Sequence, residues 1–324
     1  MEQITGQLIK SNQVLLVSHI NPDGDAIGAM LGLGLALETM KKKVQLYNQS
    51  ALPAVYQFLP SIHRIKQDPG DLETYDTAVI LDCSDLQRIG EHAEAVSRIP
   101  RVINIDHHIT NTRFGNFQFI DANASSTAEI VYHLIKKLDL PVTMAIAYAI
   151  YTGIMADTGS FRFSNTTEES FRICHEMVAA GANPHTVAHH VYETISLNRI
   201  KLLTMLFDTI ELSEDGTFST MTLTQNMLNA SGTEIADVNG LINYAKRIES
   251  VKVAALLYER RNGKKAGRPE SHFHVSLRSD GSVNVSSIAA AFGGGGHISA
   301  AGFDVYTTLP ELKKKLFELA SRIR

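Results

Sequence analysis

The chain has 324 residues, 44 % hydrophobic and 20 % charged, with a formal net charge of −4. That length is long for one core and suits two domains. A protein that grips long nucleic acid by its phosphates is usually strongly basic, so contacts to nucleic acid here should be few and local.

The elements alternate from the start. VLLVSH (14–19) reads as a short apolar strand. Asp25 to Lys43 follows as a helix, with Lys41, Lys42 and Lys43 placed in its last turn. KVQLYN (43–48), TAVILDC (77–83) and RVINID (101–106) are further strands. SSTAEIVYHLIKKL (125–138) is a helix that opens with Ser126 and Glu129 at capping-box spacing, and PVTMAIAYAIYTGIMAD (141–157) is another. Strands alternating with helices predict βαβ units and a mainly parallel sheet, with ligands outside the carboxyl ends of its strands. His185 to Phe207 reads as one helical connector. Beyond it, FSTMTLT (218–224), VKVAALLYER (251–260), SHFHVSLR (271–278) and SVNVSS (282–287) are β-like, separated by helical segments near 233–248, 286–292 and 309–323. The expected fold class is therefore α/β: a parallel-sheet domain over 1–184, a helical connector over 185–210 and a smaller α/β domain with a mixed sheet over 211–324.

No apolar run approaches the roughly 18 residues of a membrane span. The start, MEQITGQLIK, lacks the basic-then-apolar pattern of a signal peptide. Two lone cysteines, Cys83 and Cys174, fit a reducing compartment, so a cytoplasmic location is expected. Cys83 reads as a core thiol, and the pair His189-His190 as surface or packing.

Four polar clusters fall at element ends. They are His19-Ile20-Asn21-Pro22-Asp23-Gly24-Asp25, then Asp82-Cys83-Ser84-Asp85, Asp106-His107-His108, and Asp157-Thr158-Gly159-Ser160-Phe161. Any one of them could be a helix cap, as Asp25 could be for the helix that follows. Gathered in one crevice, their carboxylates would repel and rise in pKa. Divalent cations relieve that repulsion. A mixed histidine and carboxylate set suits manganese, and also iron, cobalt or zinc. Two such ions about 3.5–4 Å apart can activate water on one side and hold a phosphoryl oxygen on the other.

In the second domain AAAFGGGGHISAAGF (289–303) stands out. Gly294, Gly295 and Gly296 allow close backbone approach, so that N–H groups can converge on an anion, and His297 can donate to a phosphate. A flexible linker is the bland alternative, but the run sits inside apolar, structured sequence. His272 to Arg278 alternates cleanly, with Phe273, Val275 and Leu277 on one face and His272, His274, Ser276 and Arg278 on the other. His272 and His274 read as plain solvent-facing strand residues. Asp280-Gly281 reads as a hairpin turn into SVNVS, which leaves Arg278 at a strand end before the glycine run. Arg260, Arg261, Lys264, Lys265 and Arg268 form a basic loop that reads in part as solvated surface and could also draw an anionic substrate toward the cleft.

The order and spacing of the four clusters, and the GGGGH run followed by Ala300-Ala301-Gly302, resemble the DHH phosphoesterases with their DHH-associated C-terminal domain. The likeness spans nearly the whole chain. Within that superfamily the size and pairing most resemble the bacterial nanoRNases, the NrnA group of oligoribonucleases and pAp phosphatases. The resemblance implies one divalent metal on His19, Asp23 and Asp82, and a second on Asp25, Asp82, His107 and Asp157. Asp82 bridges the two. It implies that His108 faces the scissile phosphate and that Asp106 orients a histidine. Asp85 either supports the site or caps the next helix. Arg278 with Gly294, Gly295, Gly296 and His297 would anchor a substrate phosphate. The implied partners are short single-stranded RNA or nucleotide bisphosphates, with no membrane, and a homodimer is allowed. In this reading the two domains face each other across a cleft whose size selects short substrates. The rival readings are a phosphodiesterase specialised for pApA from cyclic di-AMP turnover and, from another class, a non-catalytic nucleotide-binding protein. An exonuclease of the RecJ type would need an extra oligonucleotide-binding domain, and a family II pyrophosphatase lacks the GGGGH pattern.

Overall fold

The structure, a computed structural model, describes residues 1–234, 238, 240–260 and 271–320. The chain divides into two compact units, Met1–Thr194 and Ile195–Arg324. The division falls inside the stretch expected as a connector.

The first unit is built on six parallel strands: β1 (Gln13–Ser18), β2 (Lys43–Tyr47), β3 (Ile65–Lys66), β4 (Thr77–Leu81), β5 (Val102–Asp106) and β6 (Phe117–Ile120). Their order in the sheet is β3-β2-β1-β4-β5-β6. Both faces are covered, which is why the strands read as near-continuous apolar runs. Val14 and Leu16 of β1 enter one core, and Leu15 and Val17 enter the other. The helices are α1 (Glu2–Lys10), α2 (Gly24–Thr39), α3 (Ala93–Ser97), α4 (Thr127–Lys137), α5 (Met144–Asp157), α6 (Glu168–Ala179) and α7 (Pro184–Ala188). The sheet order reverses between β1 and β4, where such sheets hold their ligands. Ser18 stands in register with Leu81, so the next residues of both strands, His19 and Asp82, leave the sheet side by side.

Helices α2 and α5 approach closely through glycine. A Cβ on Gly28 would lie 2.4 Å from the Ala149 carbonyl oxygen, and one on Gly153 would lie 3.1 Å from Asp25 Oδ1. This contact brings the ends that bear Asp25 and Asp157 together.

The second unit opens with α8 (Leu197–Phe207) and carries β7 (Glu211–Leu212), β8 (Phe218–Leu223), α9 (Gln225–Ser231), α10 (Ile242–Lys246), β9 (Val253–Glu259), β10 (Ser271–Ser279), α11 (Val285–Ala290), β11 (Gly295–His297), β12 (Ala300–Thr307) and α12 (Leu309–Ala320). Its strands run in the order β11-β12-β10-β9-β8-β7. The pair β8–β9 is parallel and the other neighbours are antiparallel, so the sheet is mixed as expected. Phe273, Val275 and Leu277 pack with Val285, Ile288, Leu312 and Leu316 of α11 and α12 on one face. On the other, Met221, Leu223, Leu256 and Tyr258 pack with Leu202, Leu206, Leu228 and Leu241.

Several local expectations are corrected. The helix expected over Asp25 to Lys43 ends at Thr39, because Lys41 turns left-handed (φ 60°) and Lys43 already opens β2. The stretch 185–207 is not one helix. After α7 it passes through a π-helical turn, His189–Glu193, and Thr194 is extended before the Ser196 hydroxyl caps α8. The β-like SVNVSS forms no strand. The Asn284 side chain accepts from the Ser286 N–H and starts α11 there, so Asp280-Gly281 leads into a helix rather than a hairpin. Ser126 caps α4, but the reciprocal arm is displaced, since the Glu129 carboxylate takes the N–H and hydroxyl of Ser125. His190 stacks on Phe58 with centroids 4.5 Å apart. The basic residues from Arg261 to Arg268 lie outside the described residues.

Glycine substitutions should separate packing from propensity. Gly28→Ala is expected to lower stability by about 1–3 kcal/mol, the usual range for overpacking. Gly6, inside α1, has open space where a Cβ would stand, so Gly6→Ala should raise stability by about 0.5–1 kcal/mol. Urea-denaturation midpoints of the two variants against the parent check both signs.

Candidate metal centre

Each clustered residue is delivered by a different element end. His19 follows β1, with Asp23 and Asp25 at the start of α2. Asp82 follows β4, while Asp106, His107 and His108 lie at and just beyond the end of β5. Asp157 ends α5. Asp82 stands at the centre, almost fully buried. Its Oδ2 lies 3.5 Å from His19 Nε2, and its Oδ1 lies 3.8 Å from His107 Nε2 and 3.6 Å from His108 Nδ1. The Thr127 hydroxyl donates to Asp82 Oδ1 at 3.1 Å. The backbone of Asp82 is left-handed (φ 56°), a conformation that aspartate tolerates better than most residues and that turns its carboxylate into the pocket.

Asp23 caps α2, accepting the N–H groups of Asp25 and Ala26 at 3.0 Å each. Asp25 does not cap its own helix. Its two oxygens accept the Thr127 and Ala128 N–H groups at 2.7 and 2.8 Å, which ties it to the start of α4. Asp157 Oδ2 lies 3.5 Å from His107 Nε2 and accepts from the Asn165 amide at 3.2 Å. Gly159, Ser160 and Phe161 form three successive left-handed residues just after Asp157, and this tight turn begins the loop that returns Asn165 to it.

The histidines are oriented from behind. His19 Nδ1 lies 2.8 Å from the Ile20 carbonyl and His107 Nδ1 lies 3.3 Å from the Ala124 carbonyl. Donation there frees Nε2 of both rings to act as a ligand atom. Asp106, fully buried, accepts from the His107 N–H at 2.8 Å and from His108 Nδ1 at 2.7 Å. Its other oxygen accepts from the Asn111 amide at 2.6 Å. Asp85 caps the 3-10 turn Leu86–Ile89, taking the Gln87 N–H at 2.8 Å. Cys83 is a buried thiol pushed up to about 12 by burial.

The electrostatics follow from this crowding. Burial first, then the charges of Asp82, Asp157 and Asp23, push Asp25 well above the usual carboxylate range. Burial also carries Asp157 up to about 6, and His107 only partly offsets this. Asp82 runs the other way. Burial would raise it, but the imidazoles of His19, His108 and His107 hold it at about 2. His108 is pulled down by burial and pushed up more strongly by Asp106 and Asp82, to about 9.

Three sets of ligand atoms each lie within 4.8 Å of one another: His19, Asp23 and Asp82; Asp25, His107 and Asp157; and Asp82, His107 and His108. The sets share Asp82 or His107. Carboxylate crowding, free imidazole Nε2 atoms and ligand atoms at this spacing together fit a pair of divalent cations.

In the second unit Arg278 is half-buried, and its Nη1 donates to the Leu277 carbonyl at 2.9 Å. Burial lowers its pKa. It has no carboxylate partner among the described residues. The glycine run forms β11, in which Gly295 pairs with Gly302, Gly296 with Ala301 and His297 with Ala300. A Cβ on Gly294 would lie 2.2 Å from the Gly302 carbonyl oxygen, and one on Gly296 would lie 2.5 Å from that of Ala300. Both glycines are therefore fixed by close packing, whereas Gly295 has open space. The His297 side chain lies outside the described residues. Sequence reasoning missed Thr127, Asn111 and Asn165. Thr127 could have been found from the polar SST run that opens α4, but nothing in the sequence signals Asn165.

Residues 13–154 match the DHH family, N-terminal domain, and residues 221–323 match the DHHA1 domain. The chain belongs to the DHH family of phosphoesterases. It is 34 % identical over 292 residues to the bifunctional oligoribonuclease and PAP phosphatase NrnA of Thermus thermophilus, covering 89 % of this chain and 83 % of that protein. Its identity to the NrnA of Bacillus subtilis is 27 %, over 91 % of this chain and 90 % of that one. An exopolyphosphatase-related protein from Bacteroides fragilis superposes with a TM-score of 0.89 at 30 % identity, covering 98 % of this chain and 94 % of that one. Among the described residues no helix is long and apolar enough to cross a membrane.

A pH-dependent thermal shift should expose the crowding. Asp157 has a raised folded pKa, so its contribution to metal-free stability is present below about pH 4 and lost as pH rises through about 6. Divalent cation should restore that loss. Adding manganese should raise the melting temperature by several degrees at pH 7.5 and by much less at pH 5, where protons compete. Equal shifts at the two pH values would contradict the coupling.

Proposed function

We propose that this protein is a two-metal phosphoesterase that hydrolyses short oligoribonucleotides to nucleoside 5′-monophosphates and releases phosphate from pAp. The carrying observation is the convergence of His19, Asp23, Asp25, His107 and Asp157 around the buried carboxylate of Asp82. The names of the similar Thermus and Bacillus proteins supply the substrate classes.

In this reading His19, Asp23 and Asp82 hold one cation, and Asp25, Asp82, His107 and Asp157 hold the other. Manganese is the metal we propose, from the mixed imidazole and carboxylate set. Bound cations would lower the pKa of attacking water and neutralise charge on the phosphoryl oxygens. The remaining roles belong to the protein. Asp82, ionised far below neutrality, offers one oxygen to each side of the site. Asp106 holds His108 through Nδ1, which leaves Nε2 to face the scissile phosphate. The buried Asp106 carboxylate favours the protonated imidazole, from which Nε2 can donate to a phosphoryl or leaving oxygen. Arg278 is the phosphate anchor, a guanidinium with no competing carboxylate. The mild overall acidity fits a short substrate. Specialisation for pApA remains the second reading at the same site.

Asp82→Asn keeps the side-chain shape and tolerates the left-handed backbone, so the fold should survive. Turnover with manganese should fall by at least about a hundredfold, because two ligand contacts and three imidazole contacts lose their charge. Arg278→Ala should raise KM with a smaller change in kcat, because it removes a binding contact. Product analysis on pAp, pApA, a short RNA and pyrophosphate tests the substrate assignment. Hydrolysis of pyrophosphate alone would sink it.

A further inference from the structure

The loop that follows Asp157 carries two phenylalanines with opposite surroundings. Phe161 is packed. Its ring stacks on Phe171 with centroids 5.1 Å apart and meets Tyr151 edge-on at 6.4 Å. Phe163, two residues on, has no aromatic partner among the described residues and is 57 % exposed. One exposed apolar side chain needs no explanation by itself. A ring that is held in place beside a charged pocket does.

The backbone holds this ring. Gly159 is left-handed (φ 58°), and a Cβ on it would lie 2.4 to 2.6 Å from three carbons of the Phe163 ring. The ring therefore rests directly on the glycine, in space that any side chain would fill. The Phe163 N–H donates to the Thr158 carbonyl at 3.0 Å, and the Phe163 carbonyl accepts from the Thr166 N–H at 3.1 Å. The seat is close to the candidate metal ligands. Gly159 stands two residues beyond Asp157, at most about 7 Å of extended chain. Two residues beyond Phe163, the Asn165 amide donates to the Asp157 carboxylate at 3.2 Å. The loop thus leaves Asp157, seats the ring and returns to Asp157.

Arg162 adds a charge to the same loop. Its Nε donates to the Gly159 carbonyl, and its Cζ lies 5.8 Å from the centroid of the Tyr192 ring. The Tyr192 hydroxyl is tied in turn to the Met155 carbonyl at 3.1 Å. The guanidinium has no carboxylate partner among the described residues, so its charge is available to an anion. A fixed ring and an uncompensated cation on one loop match a ligand that is apolar and flat in one part and anionic in another. A nucleotide has both parts, and its base can stack on a ring whatever its identity, because every base has a π-face.

We propose that Phe163 is a stacking subsite for the base of a nucleotide whose phosphate lies at the metal centre. The subsite distinguishes nucleotides from phosphates that carry no base and is tolerant of base identity. This inference rests on the proposed phosphoesterase activity and adds to it a preference for a base next to the reacting phosphate.

Steady-state kinetics with manganese on a three-unit RNA and on the same trimer built from abasic units test it, with the parent protein, Phe163→Ala and Phe163→Tyr. The parent should favour the RNA in kcat/KM. Phe163→Ala is expected to shrink that preference by about five- to a hundredfold, the range for losing one base–aromatic stack. Phe163→Tyr keeps a ring on the glycine seat and should retain the parental preference, which separates lost stacking from a disturbed loop. A parent that cleaves both trimers equally well, an unchanged preference in Phe163→Ala, or a preference that Phe163→Tyr also loses overturns the subsite while the activity stands. A parent that cleaves neither trimer overturns the activity and the subsite together.

Discussion

Repulsion among four carboxylates organises the first unit. Asp23, Asp25, Asp82 and Asp157 converge on one pocket, and the groups around them set each one's charge differently. Asp82 is held ionised by three imidazoles, whereas Asp25 and Asp157 are driven toward the protonated form by burial and by the charges of Asp82 and Asp23. Such a pocket is unfavourable by itself and favourable with bound cations. In the metal-free state protonation of Asp25 and Asp157 relieves part of that repulsion.

The delivery of these groups follows from an ordinary parallel sheet. Strand order reverses between β1 and β4, and the residues just past their ends, His19 and Asp82, meet there because Ser18 and Leu81 are in register. The glycine contact between α2 and α5 then sets the ends bearing Asp25 and Asp157 at the same pocket. Backbone geometry completes the arrangement. Asp82 is left-handed, and a run of left-handed residues follows Asp157. Positions outside the common φ regions recur where a side chain must be aimed. Polar groups with no catalytic chemistry of their own, Thr127, Asn111 and Asn165, hold the acids in place.

The second unit packs the two faces of its sheet unequally. One face is fully covered by α11 and α12. The other is covered over β8 and β9, and His272, His274, Ser276 and Arg278 of β10 are half-buried there. The glycines that read as an anion-binding loop have a structural duty as well. Gly294 and Gly296 let β11 lie against Gly302, Ala300 and Ala301, two strands from Arg278.

The sequence by itself determined the α/β class, the four polar clusters and their order, because strand ends and turn residues are local features with short-range causes. It also determined the alternation of β10 and the small residues facing it. Its errors were local too. The helix after Asp25 ran on to Lys43 because nothing in three lysines announces a left-handed turn, and SVNVSS looked like a strand until Asn284 capped a helix. Only the tertiary structure decided that Asp25 ties to α4 rather than capping α2, that Asn165 reaches Asp157, and that His272 meets Tyr306. Those contacts join residues far apart in the chain, and their geometry is fixed by packing, which no local pattern encodes.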